Sequence, residues 1–142
     1  MKEYAEMLRM FAELHPAFPY FVFFIGACWG SYANVCIYRW PRQLSTVSPP
    51  SHCFSCDKRI AWYDNIPILS YILLRGKCRN CKAGYSPRYM LVEAFTGALF
   101  LGVWLIYGWS IHTPVYWFVC FGLVFGGFVD LDTQYLPDIV TV

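Results

Sequence analysis

The chain has 142 residues, of which 58% are hydrophobic, 20% aromatic and only 14% charged, with a net charge of +2. A water-soluble globule carries nearer a quarter charged residues, so an ordinary soluble domain is excluded and lipid-facing surface accounts for the shortfall. Mean hydropathy is +0.40, and the apolar residues are grouped into long runs, which is the pattern of membrane spans rather than of a dry core.

The first stretch, Met1 to His15, reads as an amphipathic helix. Tyr4, Met7, Leu8, Phe11 and Leu14 recur at helical spacing, and Lys2, Glu3, Glu6, Arg9 and Glu13 fill the rest of its surface. Such a helix is expected to lie in the membrane interface. It carries acids and has no apolar run before Pro16, so it does not read as a secretory signal. The first span follows at 17–38. It is uncharged, close to the roughly 20 residues that cross a bilayer, and it carries a Gly26/Gly30 pair that would admit a close helix neighbour.

Residues 39–89 differ completely. Arg39, Arg42, Lys58, Arg59, Arg75, Lys77, Arg79, Lys82 and Arg88 lie here, nine of the 11 basic residues, against only Asp57 and Asp64. The positive-inside rule places this loop in the cytoplasm and the N-terminus outside. A second span is expected from about Met90 to Tyr107 and a third from about Val115 to Val129, the latter extending through Asp130 or tilted. A turn holding Gly108, His112 and Pro114 joins them. The expected fold is thus an all-α polytopic membrane protein of about three transmembrane helices, with a zinc-ribbon-like cytoplasmic loop between the first and second. No internal repeat is evident.

Four of the 7 cysteines fall as Cys53-x-x-Cys56 and Cys78-x-x-Cys81. Each CxxC brings two sulfurs onto one turn, and two such turns facing each other make a tetrahedral S4 cage suited to Zn²⁺. In a reducing cytoplasm a metal is favoured over disulfides or redox-active pairs. A loop of this size has too little core to hold itself, so an ion would help it fold. The residues between the pairs, 62–69, can pack a small apolar cluster or dock on the bilayer. Cys28, Cys36 and Cys120 lie in apolar runs and read as buried thiols.

The third span runs into Asp130-Leu131-Asp132, with Pro137 and Asp138 beyond. An acid at the end of an apolar helix is a functional candidate, although interfacial water alone would also account for it. Asp130 and Asp132 point to nearly opposite sides of a helix, so they cannot make a close pair. Hydrolysis by carboxylates needs two that approach and share a proton. Asp130 can be one; no second acid with a suitable setting is evident.

Together these motifs resemble the type IV prepilin peptidases, bifunctional inner-membrane enzymes of pilus and type II secretion systems. Residues 30–41, GSYANVCIYRWP, are like the family's GSFLNVxIxRxP, with Tyr32 and Ala33 in place of Phe-Leu. The paired CxxC motifs, residues 62–71, and the run 130–138, like the family's DxDxxxLPD, complete the match. The resemblance implies an aspartic endopeptidase that removes the basic leader of prepilins or pseudopilins at the cytoplasmic face. It also implies methylation of the new N-terminus from S-adenosylmethionine, in a bacterial inner membrane with the N-terminus periplasmic. By motif position Asp130 is the first catalytic aspartate, Cys53, Cys56, Cys78 and Cys81 bind zinc, and residues 90–142 begin the peptidase membrane domain. Family members carry their second catalytic aspartate in a GxGD motif, which these residues lack. The chain then reads as an N-terminal fragment or a degenerate member, inactive alone as a protease.

No glycine-rich nucleotide loop is present. Asn34, Arg39 and Glu93, polar groups near helix ends beside the loop, are the candidates for cofactor binding, with interhelical hydrogen bonding as their plainer role. Partners expected are the prepilin substrate and lipid, with a homodimer possible and no nucleic acid. Two other readings compete: a non-catalytic, membrane-anchored zinc-ribbon binding module, and a membrane thiol oxidoreductase using the CxxC pairs.

Overall fold

The computed structural model describes residues 16–133 together with Glu6 and Met10. Apart from Glu6 and Met10, the helix expected over 1–15 lies, like Pro137 and Asp138, outside the described residues. Among them, four helices occur in the order α1 (Phe18–Arg39), α2 (Leu69–Leu73), α3 (Arg88–Tyr107) and α4 (His112–Thr133), with 3-10 turns at Trp40–Arg42 and Trp62–Asn65. Two isolated β-bridges replace any extended strand among the described residues. The chain is a helical membrane protein: α1 with its 3-10 extension, α3 and α4 are each long and apolar enough to cross a membrane.

Local chemistry sets the helix limits. A proline opens α1, where its missing N–H costs nothing and its fixed φ suits the first turn. Arg39 leads into Trp40-Pro41-Arg42, and Gln43 stops the chain in the left-handed region at φ 55°. Ser86 Oγ accepts the Arg88 N–H at the head of α3, and Gly108, at φ 57°, ends it. The third span departs from expectation at its start. His112 and Pro114 belong to the helix rather than the turn before it, because a proline in the first turn removes no intrahelical hydrogen bond. Thr113 Oγ1 donates to the Gly108 carbonyl at 2.6 Å and ties the tight α3–α4 connection.

The bundle is held where side chains are smallest. The most extensive contact is between α1 and α3. A Cβ placed on Gly26 would lie 2.8 Å from the Gly97 Cα and 2.7 Å from the Phe100 Cβ, and one on Gly30 would lie 2.8 Å from the Glu93 Cα. Without hydrophobic drive between helices in lipid, such close backbone approach supplies the dispersion contact that holds them. Helix α4 closes over this pair in a cluster of Ala33, Ile37, Val92, Val124 and Val129, flanked by Phe121, Phe125 and Phe128. Phe100 stacks on Trp117 at 5.1 Å, and the Trp117 indole N–H donates to the Phe100 carbonyl at 2.9 Å. Phe24, Phe95, Ile106, Phe118 and Leu123 face outward, as lipid contact requires. Cys36 is buried as expected, whereas Cys28 is exposed and Cys120 half-buried on the helix surfaces.

Gly26→Leu is expected to cost about 1–3 kcal/mol, the usual price of overpacking, because backbone on the opposing helix cannot yield. Gly102→Ala, where no atom lies within 4 Å, is the neutral control. Thermal unfolding in detergent micelles, followed by near-ultraviolet circular dichroism, compares the two.

Candidate metal centre and adjoining cavity

The loop between α1 and α3 is built on two copies of one turn. In the first, Cys53 N–H donates to the Lys58 carbonyl at 2.9 Å and Asp57 N–H to the Cys53 carbonyl at 2.8 Å. In the second, Cys78 N–H donates to Ala83 at 2.8 Å and Lys82 N–H to Cys78 at 3.1 Å. Asp57 and Lys82, each following the second cysteine of its pair, take left-handed φ values of 57° and 61°. The bridges His52–Arg59 and Lys77–Gly84 close the two turns. Of this structural repeat only the cysteine spacing is written in the sequence.

The repeat brings the four thiols to one point. The sulfurs of Cys53, Cys56, Cys78 and Cys81 all lie within 4.8 Å of one another, with Cys53 and Cys81 at 3.7 Å. A tetrahedral zinc with Zn–S near 2.3 Å needs sulfur separations of about 3.8 Å, so the cage fits the ion with little movement. The backbone N–H groups of Ser55 and Cys56, and then the Tyr85 hydroxyl, hold the Cys53 thiol down to about 6. The N–H groups of Cys81 and Asn80 lower Cys78. Cys81 stands at about 11: the Ala83 N–H favours its thiolate, but desolvation and the other three sulfurs outweigh it. Four thiolates this close repel unless a cation sits among them. Tyr85 itself is pushed up by desolvation and by its bonds to Cys53 and Cys78. It is an outer-sphere partner of the cage that no sequence pattern marks.

Further contacts fasten the loop. Arg79, inside the second CxxC, makes a fork to Asp64 at 2.6, 2.8 and 3.1 Å, which lowers the Asp64 carboxyl. The three cofactor candidates all line a cavity of about 460 Å³ between the loop and the ends of α1 and α3. Arg39 is 9% exposed, and its guanidinium donates to the carbonyls of Ser45 at 2.9 Å and Pro49 at 2.8 Å. Asn34 Nδ2 donates to the Tyr89 carbonyl at 3.0 Å. Glu93 accepts the Ile68 N–H at 2.7 Å and has no basic partner among the described residues. Each candidate therefore already ties a helix to the loop or to its neighbour.

At the same end of the bundle, Arg88 at the head of α3 grips Asp132 near the end of α4. The pairing is bidentate, with Nη2 to Oδ2 at 2.9 Å. The Arg88 guanidinium also lies 5.1 Å from the Phe128 ring. Asp130 is half-buried and makes no hydrogen bond or ion pair among the described residues. The fork thus separates the two acids: Asp132 is committed to Arg88, and Asp130 has no partner among the described residues.

Comparison with known proteins shows the family. The family model described as the bacterial peptidase A24 N-terminal domain matches residues 24–107. A prepilin leader peptidase/N-methyltransferase from Myxococcus xanthus is 42% identical over 89% of this chain and 38% of its own length. The type 4 prepilin-like proteins leader peptide-processing enzyme of Escherichia coli O78:H11 is 34% identical over 95% of this chain and 57% of its own. A prepilin leader peptidase/N-methyltransferase from Neisseria gonorrhoeae is 37% identical over 83% and 50% respectively. The chain thus spans between 38% and 57% of the length of these relatives. No solved structure matches it. On the family match and these identities, the chain belongs to the bacterial A24 peptidases, the prepilin leader peptidase family.

Proposed function

We propose that this chain supplies the first catalytic aspartate and the zinc-bound loop of a prepilin leader peptidase that also methylates the new N-terminus of its product. The observation that carries this is the Arg88–Asp132 fork at the loop-side end of α4, beside an Asp130 that has no partner among the described residues. An unpaired carboxylate there is free to share a proton with a second one and to act as base on a water, while its partner acts as acid. The second carboxylate comes from a GxGD-bearing segment, since no GxGD occurs in these residues. The excess of basic residues in the loop supports a cytoplasmic position for it, in a bacterial inner membrane. Asp130 then lies on the side where the leaders of type IV prepilins or pseudopilins are exposed.

Zinc in the four-thiolate cage is structural: it stabilises the fold of the loop and takes no part in cleavage. The cavity of about 460 Å³ is the seat for S-adenosylmethionine, being within the range of small-molecule sites. Glu93 gives its wall an acid that no basic side chain pairs among the described residues, which suits a cationic sulfonium. Asn34 and Arg39 build the wall through their carbonyl contacts. The bound cofactor would supply an electrophilic methyl group, and the protein's part is to hold it beside the free end of the cleaved pilin.

Membranes carrying this chain, a prepilin and isotopically labelled S-adenosylmethionine test the reading. The chain alone is expected to leave the prepilin intact, and addition of the GxGD-bearing segment to restore leader cleavage and methyl transfer. Efficient cleavage by the chain alone would overturn the shared dyad. Failure with both segments present would overturn the peptidase assignment.

A further inference from the structure

The most apolar part of the loop is not its interior. Residues 66–74, Ile-Pro-Ile-Leu-Ser-Tyr-Ile-Leu-Leu, contain only two polar side chains, and both turn inward. Ser70 Oγ donates to the Tyr63 carbonyl at 3.0 Å, and Tyr71 Oη to the Tyr85 carbonyl at 3.4 Å. On the other face of α2, Leu69 is 50% exposed, Ile72 60% and Leu73 72%. Their i, i+3, i+4 spacing makes one contiguous apolar stripe, which in water would be an unexplained cost.

Most of the backbone donors of this segment are bonded within it. Ser70 N–H donates to Ile66, Ile72 N–H to Ile68, Leu74 N–H to Ser70 and Gly76 N–H to Tyr71. Ile68 stands at φ 63° and ψ −52°, which turns its N–H away from the local chain. That N–H is taken by the Glu93 carboxylate at 2.7 Å. With most of its donors satisfied, the segment loses little on leaving water for the interface, where headgroups and water can still meet the rest.

The same bond sets the depth. Glu93 lies five residues into α3 from Arg88, about 7.5 Å along the axis at 1.5 Å per residue. The start of α2 is thereby level with the second turn of a membrane-crossing helix, below its polar end. Arg75 and Lys77 follow α2 directly, where long cationic side chains can reach anionic headgroups from an apolar stem.

We propose that α2 is a membrane-interface element: Leu69, Ile72 and Leu73 seat in the headgroup–acyl boundary of the bilayer that α1, α3 and α4 cross, with Glu93 fixing their depth. The occupant of the stripe is lipid, because the Ile68–Glu93 bond holds the start of α2 beside a membrane-crossing helix and two cations, Arg75 and Lys77, follow it. The loop is then anchored along its length, and the metal cage is held at a set height above the membrane.

The test uses the intact chain in vesicles of phosphatidylcholine and phosphatidylglycerol, with the photoreactive residue benzoylphenylalanine at position 73 or, separately, at position 57. Asp57 has a side chain 93% exposed on the first cysteine turn. After illumination, mass spectrometry is expected to find lipid adducts at position 73 at least about fivefold above those at 57, as for a side chain within the acyl boundary. Equal yields, or adducts to protein in place of lipid, would overturn the proposal. Glu93→Ala in the position-73 protein is expected to cut the lipid adduct at least about twofold by releasing Ile68, while one zinc per chain remains bound. An unchanged yield would remove Glu93 as the depth-setting group.

Discussion

In the complete membrane enzyme, Asp130→Asn is expected to lower prepilin leader cleavage by about 10³-fold or more, within the span that general acid–base groups contribute. The asparagine keeps the shape of the side chain but can neither share a proton with a second carboxylate nor draw one from water. Asp132→Asn tests the assignment from the other side. Its carboxylate is spent on Arg88, and the pair is partly open to solvent, 39% for Arg88 and 36% for Asp132, so its loss is expected to cost roughly tenfold or less. Arg88→Gln should match Asp132→Asn, and the double variant should be no worse than either, because both break one interaction. Methylation of a pre-cleaved pilin separates chemistry from folding: Asp130→Asn should methylate it at the ordinary rate. If Asp132→Asn proved as damaging to cleavage as Asp130→Asn, the roles of the two acids would be reversed.

The spans and the metal cage are the parts of this molecule that its sequence states openly, since both arise from local rules. An uncharged run of twenty residues must cross or be buried, and two CxxC turns must put their sulfurs on tight corners. The Gly26/Gly30 pair was also visible, and it turns out to mark the α1–α3 crossing. What stayed hidden depends on residues far apart in the chain. Arg88 and Asp132 are 44 positions apart, and nothing near either names the other. Tyr85 reaches the sulfurs only because the second turn is closed by the Lys77–Gly84 bridge. Asn34, Arg39 and Glu93 stand out by polarity near apolar helix ends, but apart from Ser31 beside Glu93 their partners are main-chain groups of Tyr89, Ser45, Pro49 and Ile68. Backbone partners leave no trace in side-chain identity. The start of α4 was misplaced because histidine and proline read as turn formers, whereas helix first turns tolerate both.

Purified with its metal, the chain is expected to carry one zinc, and Cys53→Ala or Cys78→Ala to reduce that to a small residue measurable by plasma mass spectrometry. The effect should be large because metal affinity and loop folding are one equilibrium. Structural zinc sites of this class contribute about 10–16 kcal/mol of apparent binding energy near neutral pH, far more than a loop with so few buried residues can supply itself. Loss of the ion should therefore open residues 43–87 to limited proteolysis while the three long helices, packed through their glycines, keep their helical signal. Alanine at Cys28 or Cys120 should leave zinc content unchanged, since neither belongs to the cluster. Tyr85→Phe removes only the hydroxyl that supports Cys53 and Cys78, and is expected to weaken zinc about 10–100-fold, as loss of an outer-sphere bond does. The pH dependence has a definite sign. Ligation needs thiolates, so protons compete with the metal. With the free Cys53 thiol at about 6 and Cys81 at about 11, binding between those values releases protons, and affinity rises with pH. Acidification through about 6 protonates Cys53 as well, so zinc should be lost as the pH falls. A zinc content unaffected by either cysteine variant would show that the four sulfurs hold no ion.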